Sequence, residues 1–238
     1  MAGGASPTSS AGHPGRSTTT DHALTLIPDH LMGAGQRLVE EMLLDRGIVV
    51  SYETIRRWGR KFGPEYARRL RRKPPRPTDI WHLDEVVVSI AGRKHWLWRA
   101  VDQDGYVLDE IVQGRRDTKA AKRLLTRLMK KQGMAPRRII TDKLPSYGAA
   151  RRQVMSGVEH RSHKGLNNRA ENSHLPLRKR ESIMQGFRSA GGLQQFTSVF
   201  SAVRNLFVPP RSYQSALATH LHRLQAIAAW KAAACVLA

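Results

Sequence analysis

The spacing of apolar residues changes twice along this chain. Residues 1–35 are rich in Gly, Ser, Thr, Pro and Ala and show no apolar period, so we expect them to be disordered. From Gln36 apolar residues recur at helical spacing as far as Gly47, and Ser51 is a suitable N-cap for a second helix over Tyr52 to Phe62. From Trp81 the pattern becomes typical of β-strands. The chain is therefore predicted to have a low-complexity N-terminus, two helices and a mixed α/β region.

The two helices are joined by a short turn that contains glycine, and the second helix is basic. This is the outline of a helix-turn-helix over 36–66, whose second helix would enter the major groove of DNA. Its candidate DNA contacts are Arg56, Arg57 and Lys61. An ordinary helical hairpin with a solvated basic face fits the pattern as well. The prolines in 67–78 prevent a continuous helix, so this basic stretch is predicted to be a linker able to lie along phosphates.

Three strands, followed by alternating helices and strands, are predicted for the next part of the chain. Three apolar runs separated by two tight turns indicate an antiparallel meander between Trp81 and Gln113. The later predictions are a helix at 118–132 ending at Gly133, a strand at 138–141, a short helix at 146–155, an apolar element at Val158 and a long helix from Asn167. The order βββαβαβα is typical of a ribonuclease H-like α/β fold, a mixed sheet flanked by helices. We expect this domain over 79–208 and a helical tail over 209–238.

Three acidic residues lie at positions that a ribonuclease H-like fold would bring together. Asp84 lies in the first strand, Asp142 follows the fourth strand, and Glu171 lies at the start of the last helix of the series. The first and fourth strands are neighbours at the centre of this fold, so Asp84 and Asp142 should lie side by side, with Glu171 arriving on the helix. Carboxylate oxygens are the ligands that hard divalent cations prefer. The sequence therefore predicts a metal site.

Each acid also has an ordinary structural explanation. Asp84 could be a surface residue of an edge strand, and Asp142 could simply begin a turn. Glu171 stands at the spacing of a capping box that starts at Asn168. The metal site is favoured because all three explanations would have to hold at once. Three polar neighbours are candidates to support the acids from around the site: His82, Glu85 and His174. Ordinary packing or solvent exposure is nevertheless expected for each of them.

Charge and composition narrow the class of partner. Lys and Arg number 40 against 19 Asp and Glu, a net charge of +21, which makes nucleic acid the expected partner ahead of a membrane surface. A protein that is merely basic, of a ribosomal or chromatin type, is the alternative. Cys235 is the single cysteine, which excludes an internal disulfide and a thiolate metal cluster. No apolar run approaches the roughly 18 residues of a membrane helix, so a cytoplasmic protein is expected.

Four stretches resemble a known family: Trp81 to Glu85, Trp98 to Asp102, Thr141 to Tyr147 and Asn167 to His174. They are similar to the DDE transposases of bacterial insertion sequences, in particular insertion sequence family six, and the resemblance runs from Leu38 to Pro210. It implies metal-dependent cleavage of DNA at transposon ends and strand transfer into target DNA. The implied partners are double-stranded DNA, as terminal inverted repeats and as target, and further copies of the chain in a homodimer or higher oligomer.

The resemblance also implies which residues act. Asp84, Asp142 and Glu171 would hold two Mg²⁺ ions, for which Mn²⁺ would substitute, in an in-line displacement at phosphorus. Arg178 lies two helical turns after Glu171 and would hold the transposon-end DNA, together with Lys143. A solvated base is the alternative for Arg178.

Two further expectations concern the completeness of the helix-turn-helix and the catalytic activity of the protein. Members of the family carry a helix before the position of Gln36, and the pattern of residues 1–35 does not predict one, so the helix-turn-helix is expected to be incomplete. A catalytically inactive DNA-binding protein descended from a transposase is the alternative function. Another ribonuclease H-like nuclease, such as a junction resolvase, is a third possibility.

Overall fold

The computed structural model describes residues 36–45, 47–70, 73–209 and 215–235. The disorder predicted for residues 1–35 lies outside these ranges and stays a prediction. The elements are, in chain order, α1 (Gln36–Leu44), α2 (Tyr52–Arg69), β1 (Ile80–Ile90), β2 (Arg93–Val101), β3 (Val107–Gln113), α3 (Thr118–Gln132), β4 (Arg138–Thr141), α4 (Pro145–Val154), β5 (Glu159–Ser162), a 3-10 turn (Lys164–Leu166), α5 (Asn168–Ser173), α6 (Leu175–Ile183), α7 (Ala190–Phe207) and α8 (Ala216–Cys235). Among the described helices, none combines the length and the apolarity that crossing a bilayer requires.

A five-stranded mixed sheet in the order β3-β2-β1-β4-β5 forms the centre of the protein. β1, β2 and β3 are an antiparallel meander, while β4 runs parallel to β1 and β5 runs parallel to β4. This is the ribonuclease H-like arrangement that the order of elements predicted, and the predicted fold class is confirmed. β1 lies in the middle of the sheet, which excludes the edge-strand explanation of Asp84. In the parallel register Leu83 of β1 is level with Thr141 of β4.

The two faces of the sheet are covered by different helices. On one face Trp81 and Leu83 pack with the buried leucines of α3 and with Tyr147 of α4. On the other face Val88 and Leu97 pack with α7, and residues of α2, α6 and α8 join the same cluster. Successive side chains of a strand point to opposite faces. The apolar residues that fill these two cores therefore fix which face each polar neighbour in β1 occupies.

Helix α1 and the start of α2 form a small core of their own. Val39, Leu43 and Ile55 are buried together. Gly47, with φ of 73°, makes the turn between the helices, and the amide of Ile48 donates to the carbonyl of Leu43 at 2.9 Å. The two predicted helices and the turn between them are present in this segment, and the DNA-binding helix-turn-helix over 36–66 remains a prediction.

Helix α2 is longer than the sequence suggested. It was predicted to end at Phe62, but it continues through Pro64 to Arg69. Pro64 has no amide hydrogen to donate to the carbonyl of Arg60, which normally destabilises a helix interior. Gln195 of α7 supplies the missing donor, because its Nε2 donates to that carbonyl at 2.9 Å. A tertiary contact thus allows the helix to continue through Pro64, although proline normally predicts the end of a helix.

Close approach between α2 and α7 explains why this contact forms. Gly63 is buried, and a Cβ atom on it would lie 3.3 Å from Cγ1 of Val199 in α7. The C-terminal half of α2 is therefore packed on the α/β domain rather than extended as part of a linker. Beyond it, Lys73 pairs with Asp102 and Asp104 at 2.5 Å in each case, so this base contacts the turn between β2 and β3.

The long helix predicted from Asn167 is two short helices, α5 and α6, which meet at His174. Pro176 lies in the first turn of α6 and lacks the amide hydrogen that would continue the ladder back to Asn172. The prediction of one long helix from Asn167 was therefore wrong. Glu171 and Arg178 belong to separate helices.

The packing of α2 on α7 can be tested with two glycines of the same helix. Gly63→Leu should lower the free energy of unfolding by about 1–3 kcal/mol, because the new side chain must displace Val199. Gly59→Leu is the matched control, since no atom lies within 4 Å of a Cβ built at Gly59 and helix propensity favours the change. Urea unfolding measures both variants. Equal stabilities for the two would contradict this packing.

Candidate metal centre

Two carboxylates meet where β4 ends beside the middle of β1, its parallel neighbour. Leu83 and Thr141 are level in the sheet, so the residues that follow them, Asp84 and Asp142, lie next to each other. One oxygen each from Asp84, Glu85 and Asp142 lie within 4.8 Å of one another. The side chains of Asp84 and Asp142 are 15% and 25% exposed, so the pair is partly desolvated but still open to solvent. The predicted juxtaposition of these two acids agrees with this geometry.

The electrostatics of the pair fit a cation site. Burial, and after it the charge of Asp142, raise the pKa of Asp84 from 3.8 to about 6. A carboxylate whose ionisation is opposed by burial and by a neighbouring acid has the pattern that a bound cation relieves. Their oxygen atoms also match the ligand preference of hard divalent ions. The residues present therefore suit a metal such as Mg²⁺.

Glu85 belongs to the same cluster, but its oxygens are already occupied. Oε1 accepts a hydrogen bond from Nε of Arg116 at 2.7 Å, and Oε2 accepts one from the hydroxyl of Tyr147 at 2.7 Å. Its side chain is fully buried. Burial raises the pKa of Glu85, and the bonds from Tyr147 and Arg116 lower it in part. We therefore regard Glu85 as the counter-ion of Arg116 rather than as a free metal ligand.

Arg116 links Glu85 to the catalytic candidates. Its Nη2 lies 2.6 Å from Oε1 of Glu85 and 3.6 Å from Oδ2 of Asp142. The guanidinium also lies over the ring of Trp96, 5.1 Å from the ring centroid. A planar cation that is stacked and paired in this way has little freedom. It fixes a positive charge at the border of the acidic cluster.

Glu171 lies on an element that packs against the pair, but it is not part of the close cluster. Its carboxylate is not among the oxygens within 4.8 Å of one another in the described residues. Helix α5 contacts β1 and β2, and Asn167 at its start donates to the carbonyl of Leu83, the residue before Asp84. The capping-box explanation fails, because the N-cap of α5 is Asn167 and it makes no side-chain capping bond. The role of Glu171 as a ligand stays a prediction.

His174 is a direct neighbour of Asp84. Its Nε2 lies 3.4 Å from Oδ2 of Asp84, and the ring is buried. Burial, with the charges of Arg99 and Arg178, lowers the pKa of His174 well below its usual value, so the ring is neutral and forms no ion pair. Mere packing or exposure was expected for His174 and Glu85, and the structure instead puts both in contact with the acidic cluster. His82 is buried within β1, in agreement with packing.

The predicted DNA-binding residues fall in two places. Arg178 donates from Nη1 to Oε2 of Glu181 at 2.7 Å and from Nη2 to the carbonyl of Val87 in β1, so part of its bonding capacity secures α6 to the sheet. Lys143 is exposed directly after Asp142. Contact of Arg178 and Lys143 with DNA remains a prediction.

The three bases predicted on α2 are all exposed: Arg56, Arg57 and Lys61. Arg56 and Arg57 share Glu53, at 3.0 and 3.6 Å. These surface pairs are weak and leave the guanidinium groups accessible. The opposite side of α2 is the buried one, so the exposed basic face is available to a polyanion.

Four residues around the site had no role assigned from the sequence: Arg99, Arg116, Tyr147 and Asn167. Arg99, Tyr147 and Asn167 stand inside the stretches that carry the family resemblance, which was the available signal. Arg116 lies in a loop among other bases, and nothing in its local sequence distinguishes it from Arg115. Only the path of the loop between β3 and α3 brings its guanidinium to Glu85.

The cost of ionising Asp84 can be measured in metal-free protein. The pKa of Asp84 in the folded protein, about 6, exceeds its ordinary value of 3.8. The stability linked to its protonation is therefore present below pH 3.8 and lost as the pH rises through 6. Asp84→Asn should therefore raise the free energy of unfolding at pH 7.5, by on the order of 2 kcal/mol, with a smaller gain near pH 4. Urea unfolding with a chelator checks this. Asp117→Asn, at the N-cap of α3, is the control and should not raise the free energy of unfolding at pH 7.5. A less stable Asp84→Asn protein at pH 7.5 would contradict the account.

The ion pair between Arg116 and buried Glu85 should contribute to stability, and removal of the Arg116 guanidinium tests this. Arg116→Met leaves a buried carboxylate without its cation, so we expect a loss of about 1–2 kcal/mol at pH 8, moderated by the partial exposure of Arg116. The loss should shrink as the pH falls, because burial raises the pKa of Glu85 and favours its neutral form. Arg116→Met/Glu85→Gln should recover most of the stability, and Arg115→Met should be neutral. Thermal unfolding is the measurement, and no recovery in the double variant would refute the pairing.

Comparison with known proteins gives the family. A sequence profile for the DDE domain of IS240-type transposases matches residues 78–208, more than half of the chain. The transposase of the insertion sequence-like element IS431mec of Staphylococcus aureus is 30% identical over 159 residues, which cover 65% of this chain and 70% of that protein. The transposase of IS257 in transposon Tn4003, also of Staphylococcus aureus, is 30% identical over the same length and the same shares of each chain.

Among solved structures, a chain of the simian T-cell lymphotropic virus intasome in complex with the PP2A regulatory subunit B56 gamma is similar with a TM-score of 0.42 and 18% identity. The similarity covers 76% of this chain and 61% of that chain. The family assignment rests instead on the sequence profile and on the staphylococcal relatives, and it confirms the family predicted from the four stretches. This chain belongs to the DDE transposases, in the group of insertion sequence family six.

Proposed function

We propose that this chain cuts DNA at the ends of an insertion sequence and joins the 3′ ends to target DNA, by metal-dependent phosphoryl transfer. The observation that carries the proposal is the pair Asp84 and Asp142, brought together by the parallel pairing of β1 with β4, with the pKa of Asp84 raised to about 6. A partly buried pair of like charges is unfavourable for the fold, and a cation-binding role accounts for it.

The residues that would hold the metal are Asp84, Asp142 and Glu171, with two Mg²⁺ ions in the active state and Mn²⁺ able to replace them. When bound, divalent ions at this site supply activation of the attacking water or 3′-hydroxyl and stabilisation of the leaving oxygen. Asp84 and Asp142 provide the negative charge, and Arg116 restrains Asp142 through its contact at 3.6 Å. His174 is neutral beside Asp84 and does not compensate its charge.

Double-stranded DNA is the proposed partner, as terminal inverted repeats and as target. The net charge of +21 supports long-range attraction to a polyanion. Arg56, Arg57 and Lys61 present an exposed basic face on α2 for one DNA segment, and Lys143 is exposed beside Asp142 for the reacting strand. Arg178 is proposed to contact the transposon end with the part of its guanidinium left accessible. Assembly of two or more copies on DNA, in the bacterial cytoplasm, completes the proposal.

A DNA-binding protein that has lost catalysis is the second candidate function. One observation favours it: Glu171 lies outside the cluster of carboxylates within 4.8 Å of one another. An active site of three acids needs Glu171 to approach Asp84 and Asp142 when metal and DNA are bound. The two candidates therefore differ in metal dependence, not in affinity for DNA, because both would release counterions from the phosphates.

The activity should depend on Asp142. With full-length protein, Mg²⁺ and a duplex that carries the DNA flanking its reading frame, Asp142→Asn should reduce joining to a plasmid by about a thousandfold or more, because the metal contributes several kcal/mol to the transition state. Affinity for the duplex should be unchanged. Asp45→Asn, at an exposed position of the N-terminal segment, is the matched control.

Each contrary result identifies a different error. Joining by Asp142→Asn at the level of the parent protein would refute the site. Cleavage without joining by the parent protein would identify a nuclease of the resolvase type. Binding without any metal-dependent cleavage would establish the inactive candidate.

A further inference from the structure

Helix α5, which carries Glu171, is attached to the sheet at both of its ends by buried hydrogen bonds. The helix has six residues, Asn168–Ser173. A helix this short has little stability of its own, so its position depends on tertiary contacts. The two attachments therefore determine where Glu171 stands relative to the acids of β1 and β4.

The N-terminal attachment is made by Asn167. Its side chain is fully buried, and Nδ2 donates to the carbonyl of Leu83 at 2.8 Å. Because a carbonyl can only accept, this bond also fixes which atom of the amide faces β1. Leu83 immediately precedes Asp84, so the start of α5 is tied to the backbone beside the first catalytic candidate. Oδ1 of Asn167 is buried and accepts no hydrogen bond from the described residues, which is unfavourable for stability alone.

The C-terminal attachment is made by Arg99 of β2. Its side chain is 1% exposed, and Nε and Nη2 donate to Oε2 of Glu110 at 3.0 and 2.8 Å. The remaining arm, Nη1, donates to the carbonyl of Ser173, the last residue of α5, at 2.5 Å. Arg99 is also level with Asp84 in the antiparallel register of β1 and β2. One guanidinium thus joins the end of the helix to the strands next to the site.

The chemistry of these groups suggests positioning rather than stability. A buried ion pair is often no more stabilising than an apolar pair of the same size, because desolvation offsets the attraction. A buried amide with an unpaired oxygen is likewise a poor choice for stability. Arginine has the fork geometry needed to bind Glu110 and the carbonyl of Ser173 together, which a lysine cannot reproduce.

We propose that Asn167 and Arg99 are positioning residues that hold Glu171 at the place from which it completes the metal site with Asp84 and Asp142. The inference rests on the proposed function, in which Glu171 is a metal ligand. Loss of either attachment lets the short helix shift, and a displacement of about 1 Å at a reacting centre costs on the order of a hundredfold in rate.

Two variants remove one attachment each. Asn167→Ala deletes the donor to Leu83, and Arg99→Lys keeps a charge beside Glu110 but loses the arm that reaches Ser173. Two matched controls make the same substitutions elsewhere. Asn205→Ala removes a side chain that bonds to both backbone groups of Val107, and Arg127→Lys alters the partner of buried Asp109. These hydrogen bonds of Asn205 and Arg127 do not involve α5.

The measurement is Mn²⁺ binding to the full-length protein by calorimetry, in the parent and in a Glu171→Gln background. Asn167→Ala and Arg99→Lys should each weaken Mn²⁺ binding by about tenfold in the parent, as supporting residues around metal sites do. They should have no further effect once Glu171 is Gln, because they act through Glu171. The controls should lower the thermal midpoint by a similar amount and leave Mn²⁺ binding unchanged.

Three results would overturn the inference, and they can be told apart. Equal weakening in both backgrounds would show that the two residues act on the fold as a whole. Unchanged Mn²⁺ binding in Asn167→Ala and Arg99→Lys would show that α5 keeps its place without these bonds. Mn²⁺ binding by Glu171→Gln alone at the parent level would remove Glu171 from the proposed metal site, and the inference would fall with that assignment. If Asn167→Ala does not fold, Arg99→Lys decides the outcome, again by comparing Mn²⁺ binding in the parent and in the Glu171→Gln background.

Discussion

The parallel pairing of β1 with β4 is the interaction on which the candidate site depends. It sets Leu83 level with Thr141 and therefore places Asp84 beside Asp142, although the two acids are far apart in the chain. The pairing is held by cores on both faces of the sheet, so a slip of one residue would move apolar side chains to the wrong face. Hydrophobic burial thus enforces a juxtaposition of charges that is unfavourable by itself.

The residues around the acids compensate their negative charges to different extents. Arg116 satisfies Glu85 and reaches Asp142, whereas Asp84 faces a neutral His174 and carries the raised pKa. Uncompensated charge in a partly buried site is a common cost of function, because the missing partner is the ligand. The imbalance is consistent with the proposal that Asp84 and Asp142, rather than Glu85, bind a cation.

Helix α2, the basic helix of the N-terminal segment, packs against the α/β domain. α2 is continuous from the helix-turn-helix segment to its packing against α7, because Gln195 compensates for Pro64 and Gly63 permits close contact with Val199. Its exposed face carries Arg56, Arg57 and Lys61. A DNA segment bound there would be held in a set direction relative to the sheet, which a free linker would not ensure.

The sequence by itself determined the order of the strands and helices of the α/β domain and the identity of Asp84 and Asp142, because apolar periodicity and the family stretches are local signals. Tertiary structure alone decided the rest. The passage of α2 through Pro64 depends on a donor from α7, and the contact of Arg116 with Glu85 depends on the path of a loop. The break at His174 has a local cause in Pro176, but the attachment of α5 by Asn167 and Arg99 requires β1 and β2. These contacts join residues distant in the chain, and no local spacing encodes them.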